Sequence, residues 1–226
     1  MGQYSDDTIL GLSNLFQGFE RAHGRYDIKR ANEKGKNEGK AVTYPSPPTL
    51  QLWQTHVEGS GAGLGIIPLR SDNTVLWGCI DIDVIGIDHA ALEAKCKRLA
   101  LPLVICRSKS GGAHCFLFLR DPVEATVVVD PLSAWAALLG YGGCEIFPKQ
   151  TMRYDLEKDI GNWLNMPYFF AEKTNRYGIK NGEMLDLQQF IQHAEEMSVT
   201  EDDLTAVNVA SDDNDMFSDG PPVSGT

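Results

Sequence analysis

Asp81 and Asp83 stand two residues apart inside the apolar run "WGCIDIDV", residues 77–84. On a regular strand such positions share a face, so both carboxylates project together while Ile80 and Ile82 pack on the other side. Adjacent carboxylates repel each other and resist desolvation unless a cation or hydrogen-bond donors compensate them. A hard divalent cation with oxygen ligands meets that need, magnesium first where phosphates are also bound, manganese next. The plainer alternatives are a loop cap and a charge facing water.

Two other segments offer groups that such an ion could work with. In "CRSKSGGAHCFLFL", residues 106–119, Ser110, Gly111 and Gly112 form a tight turn whose backbone N–H groups can face an anion, and His114 enters the next strand. The turn is a platform for a triphosphate, with Ser108, Lys109 and Ser110 adding polar contacts, or a structural hairpin with a surface histidine. It is neither a P-loop nor a dinucleotide-binding glycine pattern. In "GCEIFPKQ", residues 143–150, Glu145 and Phe147 share a strand face and Pro148 ends the strand. Glu145 is a candidate third carboxylate. Lys149 is a phosphate or template contact, or a surface salt bridge, and Phe147 is a core residue or a stacking platform for a base.

Strands and helices must hold these groups in place. Apolar residues recur at helical spacing over 7–22, and 31–49 reads as a flexible excursion ending in "YPSPP". A short helix after Pro48 includes Leu52, Trp53 and His56 and stops at "EGSGAG". "LGIIPL" and "VLWGCIDIDV" are two strands joined by a polar turn at Asp72 and Asn73, with Pro68 marking an edge or irregular strand. Asp88 caps the following helix, "PLVICRS" and "AHCFLFL" are strands, and a helix near 131–139, a strand at 143–147 and a helix at 186–196 complete an α+β order.

A chain of 226 residues suits one domain or two closely packed lobes. No apolar run is long enough to span a bilayer, and "MGQYSDD" lacks the regions of a secretory signal, so a soluble, cytoplasmic chain with no membrane partner is expected. The five cysteines are odd in number, widely spaced and set among apolar residues, which predicts buried free thiols. The formal charge of −11 argues against a broad nucleic-acid surface until its distribution is considered. Seven acidic residues between Glu201 and Asp219 account for the change to −4 when they are set aside, and residues 198–226 read as a disordered acidic tail. Residues 21–40 carry Arg21, Arg25, Lys29, Arg30, Lys34, Lys36 and Lys40 against Asp27, Glu33 and Glu38, a balance of +4 that steers a polyanion or merely keeps a loop soluble.

The order of carboxylate pair, glycine-flanked histidine, then carboxylate near a lysine resembles the archaeo-eukaryotic primase superfamily, in its primase-polymerase branch of phage and mobile elements. "CIDIDV", "SKSGGAHCFLF" and "EIFPKQ" carry the resemblance, and "GNWLNMPYF" at 161–169 extends it, over a span of 12–170. It implies a small helix-containing N-terminal unit, residues 1–60 with the basic loop, packed on a catalytic lobe with an RNA-recognition-motif-like sheet, residues 61–197. By the same resemblance Asp81, Asp83 and Glu145 are catalytic ligands of Mg2+ or Mn2+, His114 binds the nucleotide, and Ser110 and Lys149 lie near its triphosphate. Many members carry aspartate where this chain has Glu145, a longer ligand of equal charge. Asn162 either supports the site or belongs to a packed segment. The implied activity is that of a DNA-dependent primase-polymerase acting on a single-stranded DNA template with nucleoside triphosphates, in replication of a phage or mobile element. A replicative helicase or a single-stranded-DNA-binding protein is the implied partner. The alternatives are another metal-dependent nucleotidyltransferase or glycosyltransferase, a nuclease, and a catalytically inactive nucleic-acid-binding or replication-interaction module.

Overall fold

The computed structural model describes residues 4–31 and 37–206. Lys34 and Lys36 of the basic segment, and Met216 and Phe217 of the acidic tail, lie outside the described residues.

Helix α1 (Asp6–Leu15) is capped by Ser5, whose Oγ accepts from the Thr8 N–H, and buries Ile9 and Leu12. It stops well short of residue 22 because the chain beyond Phe16 runs along Ile67. The Phe19 N–H donates to the Ile67 carbonyl at 2.8 Å, and a Cβ on Gly18 would stand 2.1 Å from that oxygen. Strands β1 (His23–Ala31) and β2 (Asn37–Tyr44) pair antiparallel from His23↔Tyr44 to Ala31↔Asn37. This corrects the expected flexible excursion over 31–49. The strand contains glycine and lysine and lacks an apolar alternation, so its backbone pairing is hidden from a hydrophobic pattern.

Helix α2 (Leu50–Glu58) is capped by Thr49, closed by Gly59 at φ +67°, and buries Trp53, His56 and Val57. Strand β3 (Gly63–Ile66) pairs with β1, whereas β4 (Thr74–Ile82) opens a second sheet, so the turn at Asp72 and Asn73 joins two sheets rather than closing a hairpin. Helix α3 (His89–Arg98) begins at Asp88, whose carboxylate accepts from the Ala91 N–H at 2.9 Å. Strands β5 (Val104–Arg107) and β6 (Ala113–Glu124) follow. Helix α4 (Ala125–Leu138) starts earlier than the expected 131. Pro131 looks like a first helical residue, but Ala125, Val128, Leu132 and Trp135 fall at helical spacing and are buried together, and that packing carries the helix through the proline.

Strands β7 (Glu145–Phe147), β8 (Leu164–Asn165), β9 (Ile179–Lys180) and β10 (Glu183–Met184), then helix α5 (Leu187–Met197), complete the order. The sheets run β2-β1-β3-β8 and β5-β6-β4-β7, with β9 and β10 as a small ribbon. The first sheet is thus finished by residues near 164, far from the N-terminus. Trp163 lies flat on it: a Cβ on Gly24 or Gly65 would stand 2.0 Å or 2.2 Å from the indole, so both positions need glycine. The stretch 161–169 is therefore a packed segment, and Asn162 is exposed on it.

Two apolar cores sandwich the second sheet. One face of β4 contributes Trp77 and Cys79 to a core with Phe16, Trp53, Phe116, Phe118 and Phe190, which joins the two sheets. The other contributes Val75, Ile80 and Ile82 to a core under α3 and α4. Packing also continues past residue 197, into the stretch expected to be tail: Val199 bridges to Leu119, residues 201–206 are helical, and Leu204 is fully buried. All five cysteines are free, four of them buried, and among the described residues no helix is long and apolar enough to cross a membrane.

Candidate active site

The alternation of β4 carries one face from the core toward the surface. Trp77 and Cys79 lie in the inter-sheet core, and Asp81, next on the same side, stands where that core ends. Register then sets its neighbours, since Asp81 pairs with His114 on β6 and with Glu145 on β7. Cross-strand partners share a face, so Glu145, Asp81 and His114 form one row. Ile80 and Ile82 pack on the opposite side as expected. Asp83 lies just past the end of β4 and is exposed.

Asp81 carries the electrostatic tension of the row. Its side chain is 14% exposed, and its Oδ1 is buried with no hydrogen-bond partner. Burial, then Asp83 and Glu145, push its pKa up to about 7, with Lys149 pulling the other way. His114 Nε2 is 3.4 Å from Asp81 Oδ1, yet this is neither a hydrogen bond nor a formed ion pair. Burial, and secondarily the charge of Arg176, hold His114 near pKa 3, so the ring is neutral at pH 7.

The other expected residues converge less fully. Asp83 accepts a hydrogen bond from Ser110 at 3.3 Å, and Ser110 meets Ser108 at 3.1 Å. The turn is tight because Gly111 has φ +94° and because a Cβ on Gly112 would stand 2.1 Å from the Ile82 carbonyl oxygen. Its Gly111 N–H is already donated to Ser108, so that group does not face an anion. Lys109 turns to the first sheet, with Nζ 3.3 Å from the Tyr26 ring centre. Glu145 is 60% exposed and pairs with Lys149 at 2.7 Å, the plain salt bridge among the alternatives for that lysine. Phe147 is a core residue. Among the described residues no three His, Cys, Asp or Glu side chains are gathered as a ready metal cage. The orphaned Asp81 oxygen between two further carboxylates nevertheless fits a hard cation.

Arg176 escaped sequence reasoning, because a lone arginine in "TNRYG" has no spacing to mark it. It lies two residues before Gly178, which bridges to Cys106 at the edge of β5, and Cys106 in turn pairs with His114. Its guanidinium is buried, stands 5.2 Å from the Phe169 ring centre, and has an Nη1 without a partner. Tyr168 and Phe170, on either side of Phe169, both have positive φ, at +61° and +49°. The surrounding structure holds this strained segment in place: the Tyr168 hydroxyl donates to the Leu185 carbonyl at 2.9 Å and accepts from the Gly178 N–H at 3.0 Å.

Residues 21–199 match the family model described as "TOTE conflict system, Archaeo-Eukaryotic Primase domain". No protein of curated function matches the chain. Among solved structures, the archaeo-eukaryotic primase domain of the primase-polymerase of cyanophage S-2L is 17% identical, with 84% of this chain and 98% of that chain covered and a TM-score of 0.46. Primase RepB' is 10% identical over 94% of this chain and 68% of that chain, with a TM-score of 0.42. The catalytic domain of primase RepB' in complex with initiator DNA is 9% identical over 95% of this chain and 98% of that chain, with a TM-score of 0.40.

Proposed function

The chain belongs to the archaeo-eukaryotic primase family, in the domain described for TOTE conflict systems, and on that premise we propose that it is a template-directed nucleotidyltransferase. In the reaction a 3'-hydroxyl oxygen bonds to the α-phosphorus of a nucleoside triphosphate, the α–β bridging bond breaks, pyrophosphate leaves, and the hydroxyl proton passes to solvent or to a base. The row Glu145–Asp81–His114 with Asp83 beside it is the observation that supports this reading most.

Asp81, Asp83 and Glu145 are the residues that would hold Mg2+ or Mn2+, which when bound neutralises phosphate charge and favours ionisation of the attacking hydroxyl. The remaining work falls to the chain. Neutral His114 offers a phosphate oxygen an N–H rather than a full charge. Ser110 steadies Asp83, and Lys149 compensates Glu145 when that carboxylate has no other partner. The single-stranded template pairs with the incoming base, and its backbone passes the cationic face of the first sheet, where Arg21 and Lys40 are exposed and Arg25 lies over Tyr44 at 5.3 Å. A helicase or single-stranded-DNA-binding protein is the proposed partner, in a conflict system or in replication of a mobile element.

A second reading, a nucleic-acid-binding module without catalysis, draws on the Glu145–Lys149 pair, which leaves the third carboxylate engaged. One experiment separates the two: a defined single-stranded template, with and without primer, is given each nucleotide class and Mg2+ or Mn2+, and products are sized. Template-dependent lengthening supports polymerisation; DNA binding with no product in any combination sinks it and leaves the binding module.

A further inference from the structure

An open sheet edge presents unpaired backbone N–H and C=O groups, and folded chains keep such edges short or covered. This chain covers its edges with segments that come later in the sequence. At β5 the Arg107 N–H donates to the Tyr177 carbonyl at 2.9 Å, and Cys106 bridges to Gly178. Where β6 outruns β5, Val199 fills the gap: its N–H donates to the Phe118 carbonyl at 3.1 Å, and its own carbonyl accepts from the Arg120 N–H at 2.9 Å. The outer strands β7 and β8 are only three and two residues long. β2 differs from all of these. It is eight residues long, it ends its sheet beyond β1, and among the described residues no strand pairs with its outer side.

The chemistry around this edge is cationic. β1 and β2 carry Arg25, Lys29, Arg30 and Lys40 against Asp27 and Glu38. Arg21 is exposed just before β1, and Lys109 reaches over Tyr26 from the second sheet. Register places Lys40, Val42 and Tyr44 on one face of β2, with Arg25 opposite Val42 and over the Tyr44 ring at 5.3 Å. A second copy pairing through the same edge would bring these cations together, whereas an acidic strand would be held by them.

We propose that the outer edge of β2 is the docking site of this chain's own acidic segment, Asp212–Asp219, laid beside β2 as a fifth strand of the first sheet. Residues 207–226 lie outside the described residues and carry Asp212, Asp213, Asp215 and Asp219 with no lysine or arginine. On an extended segment Asp215, Phe217 and Asp219 project to one side. Set against Lys40, Val42 and Tyr44, this triplet puts Phe217 beside Val42 and an aspartate beside Lys40 in either strand direction, and the other aspartate falls near Arg25. Reach allows it: the eleven residues from Ala206 to Phe217 span about 36 Å when extended, about twice the radius of gyration of a domain this size. Tethering sets the effective concentration of the segment on the order of millimolar, so a weak contact suffices. The docking itself requires no reaction. Its consequence, competition with a single strand for Arg21, Arg25 and Lys40, rests on the reading that the template backbone passes this face.

The test compares the full chain with a variant altered in the segment alone, Asp215→Asn, Phe217→Ser and Asp219→Asn together, which leaves the buried Leu204 in place. Amide hydrogen exchange over Gly39–Tyr44 and metal-free affinity for a single-stranded oligonucleotide are measured at several protein concentrations, with and without a synthetic peptide of residues 207–226. The β2 amides are expected to exchange at least about tenfold faster in the variant, and millimolar peptide is expected to restore their protection. Oligonucleotide binding at low salt is expected to be about tenfold tighter in the variant. Lys40→Glu is expected to lose the protection too, and to regain it when combined with Asp215→Lys and Asp219→Lys. Equal exchange in wild type and variant overturns the docking. Protection that grows with protein concentration assigns the edge to the segment of a second copy and overturns the intramolecular contact. Tighter oligonucleotide binding with unchanged exchange overturns it as well, because charge alone then acts at a distance. Faster exchange with unchanged oligonucleotide affinity supports the docking and removes the template from this face. Template-directed extension is read on both proteins, and its absence from both removes the polymerase reading and leaves the docking.

Discussion

Arg153, in the segment that follows β7, donates to the carbonyls of Leu69, Arg70, Asp159 and Ile160 and stands 3.8 Å from the centre of the Phe19 ring. Arg176, buried beside Phe169, has a guanidinium nitrogen with no partner. The same contrast separates two histidines. His56 accepts the Leu64 N–H at 2.9 Å on Nδ1, so its Nε2 carries the proton and donates to the Pro167 carbonyl at 2.8 Å. His114 faces Asp81 without a hydrogen bond. Arg153 and His56 are satisfied by backbone groups and act as staples. Asp81 and Arg176 each keep a buried atom unpaired, and an incomplete buried charge is a place where binding energy can be gained.

If that contrast is right, removing a charge of the Asp81 site should harm chemistry and spare the fold, and removing a staple should do the reverse. The largest effect is expected from the folded Asp81→Ala, Asp83→Ala double variant, whose template-directed addition should fall below about one thousandth of wild type. Retained synthesis in a gel assay would reject both catalytic assignments. Next is Arg153→Met, expected to destabilise by about 3 kcal/mol in urea unfolding because it strands four carbonyls, with triphosphate affinity of the folded protein unchanged.

Asp81→Asn should move stability the other way. With Asp81 raised from its ordinary 3.8 to about 7, the native state keeps a proton that the unfolded chain has released between those pH values. Metal-free stability therefore falls as pH rises through that window. The asparagine variant should lack that fall and gain about 2 kcal/mol over wild type at pH 8. A variant that is equally or less stable there would show that the carboxylate is compensated in the apo protein. The smallest expected effect is that of His114→Ala: KM for the nucleotide up about tenfold, with oligonucleotide binding kept. Unchanged nucleotide kinetics would place His114 with the structural staples Arg153 and His56.

Much of the site was legible because it lies on strands with clear apolar alternation. Asp81, Glu145 and His114 could each be placed on a face from their own segments, and Asp88, Pro48 and Gly59 marked helix ends through local backbone chemistry. The first sheet was harder to see. β1 and β2 carry charge and glycine in place of an apolar stripe, and β8 arrives from residues near 164, so no local pattern announces their pairing.

By itself the sequence determined which groups could do chemistry and that Ile80 and Ile82 pack on the face opposite Asp81, because side-chain direction follows from local periodicity, although Asp83, expected on the same strand, lies past its end. Only the tertiary structure decided that β4 runs between β6 and β7, which sets Asp81 between His114 and Glu145, and that Glu145 turns to Lys149 and Asp83 to Ser110. It alone decided that Arg176 is buried near His114 with a nitrogen unpaired. Register and desolvation depend on residues distant in the chain, and an isolated arginine carries no trace of them until the sheets close around it.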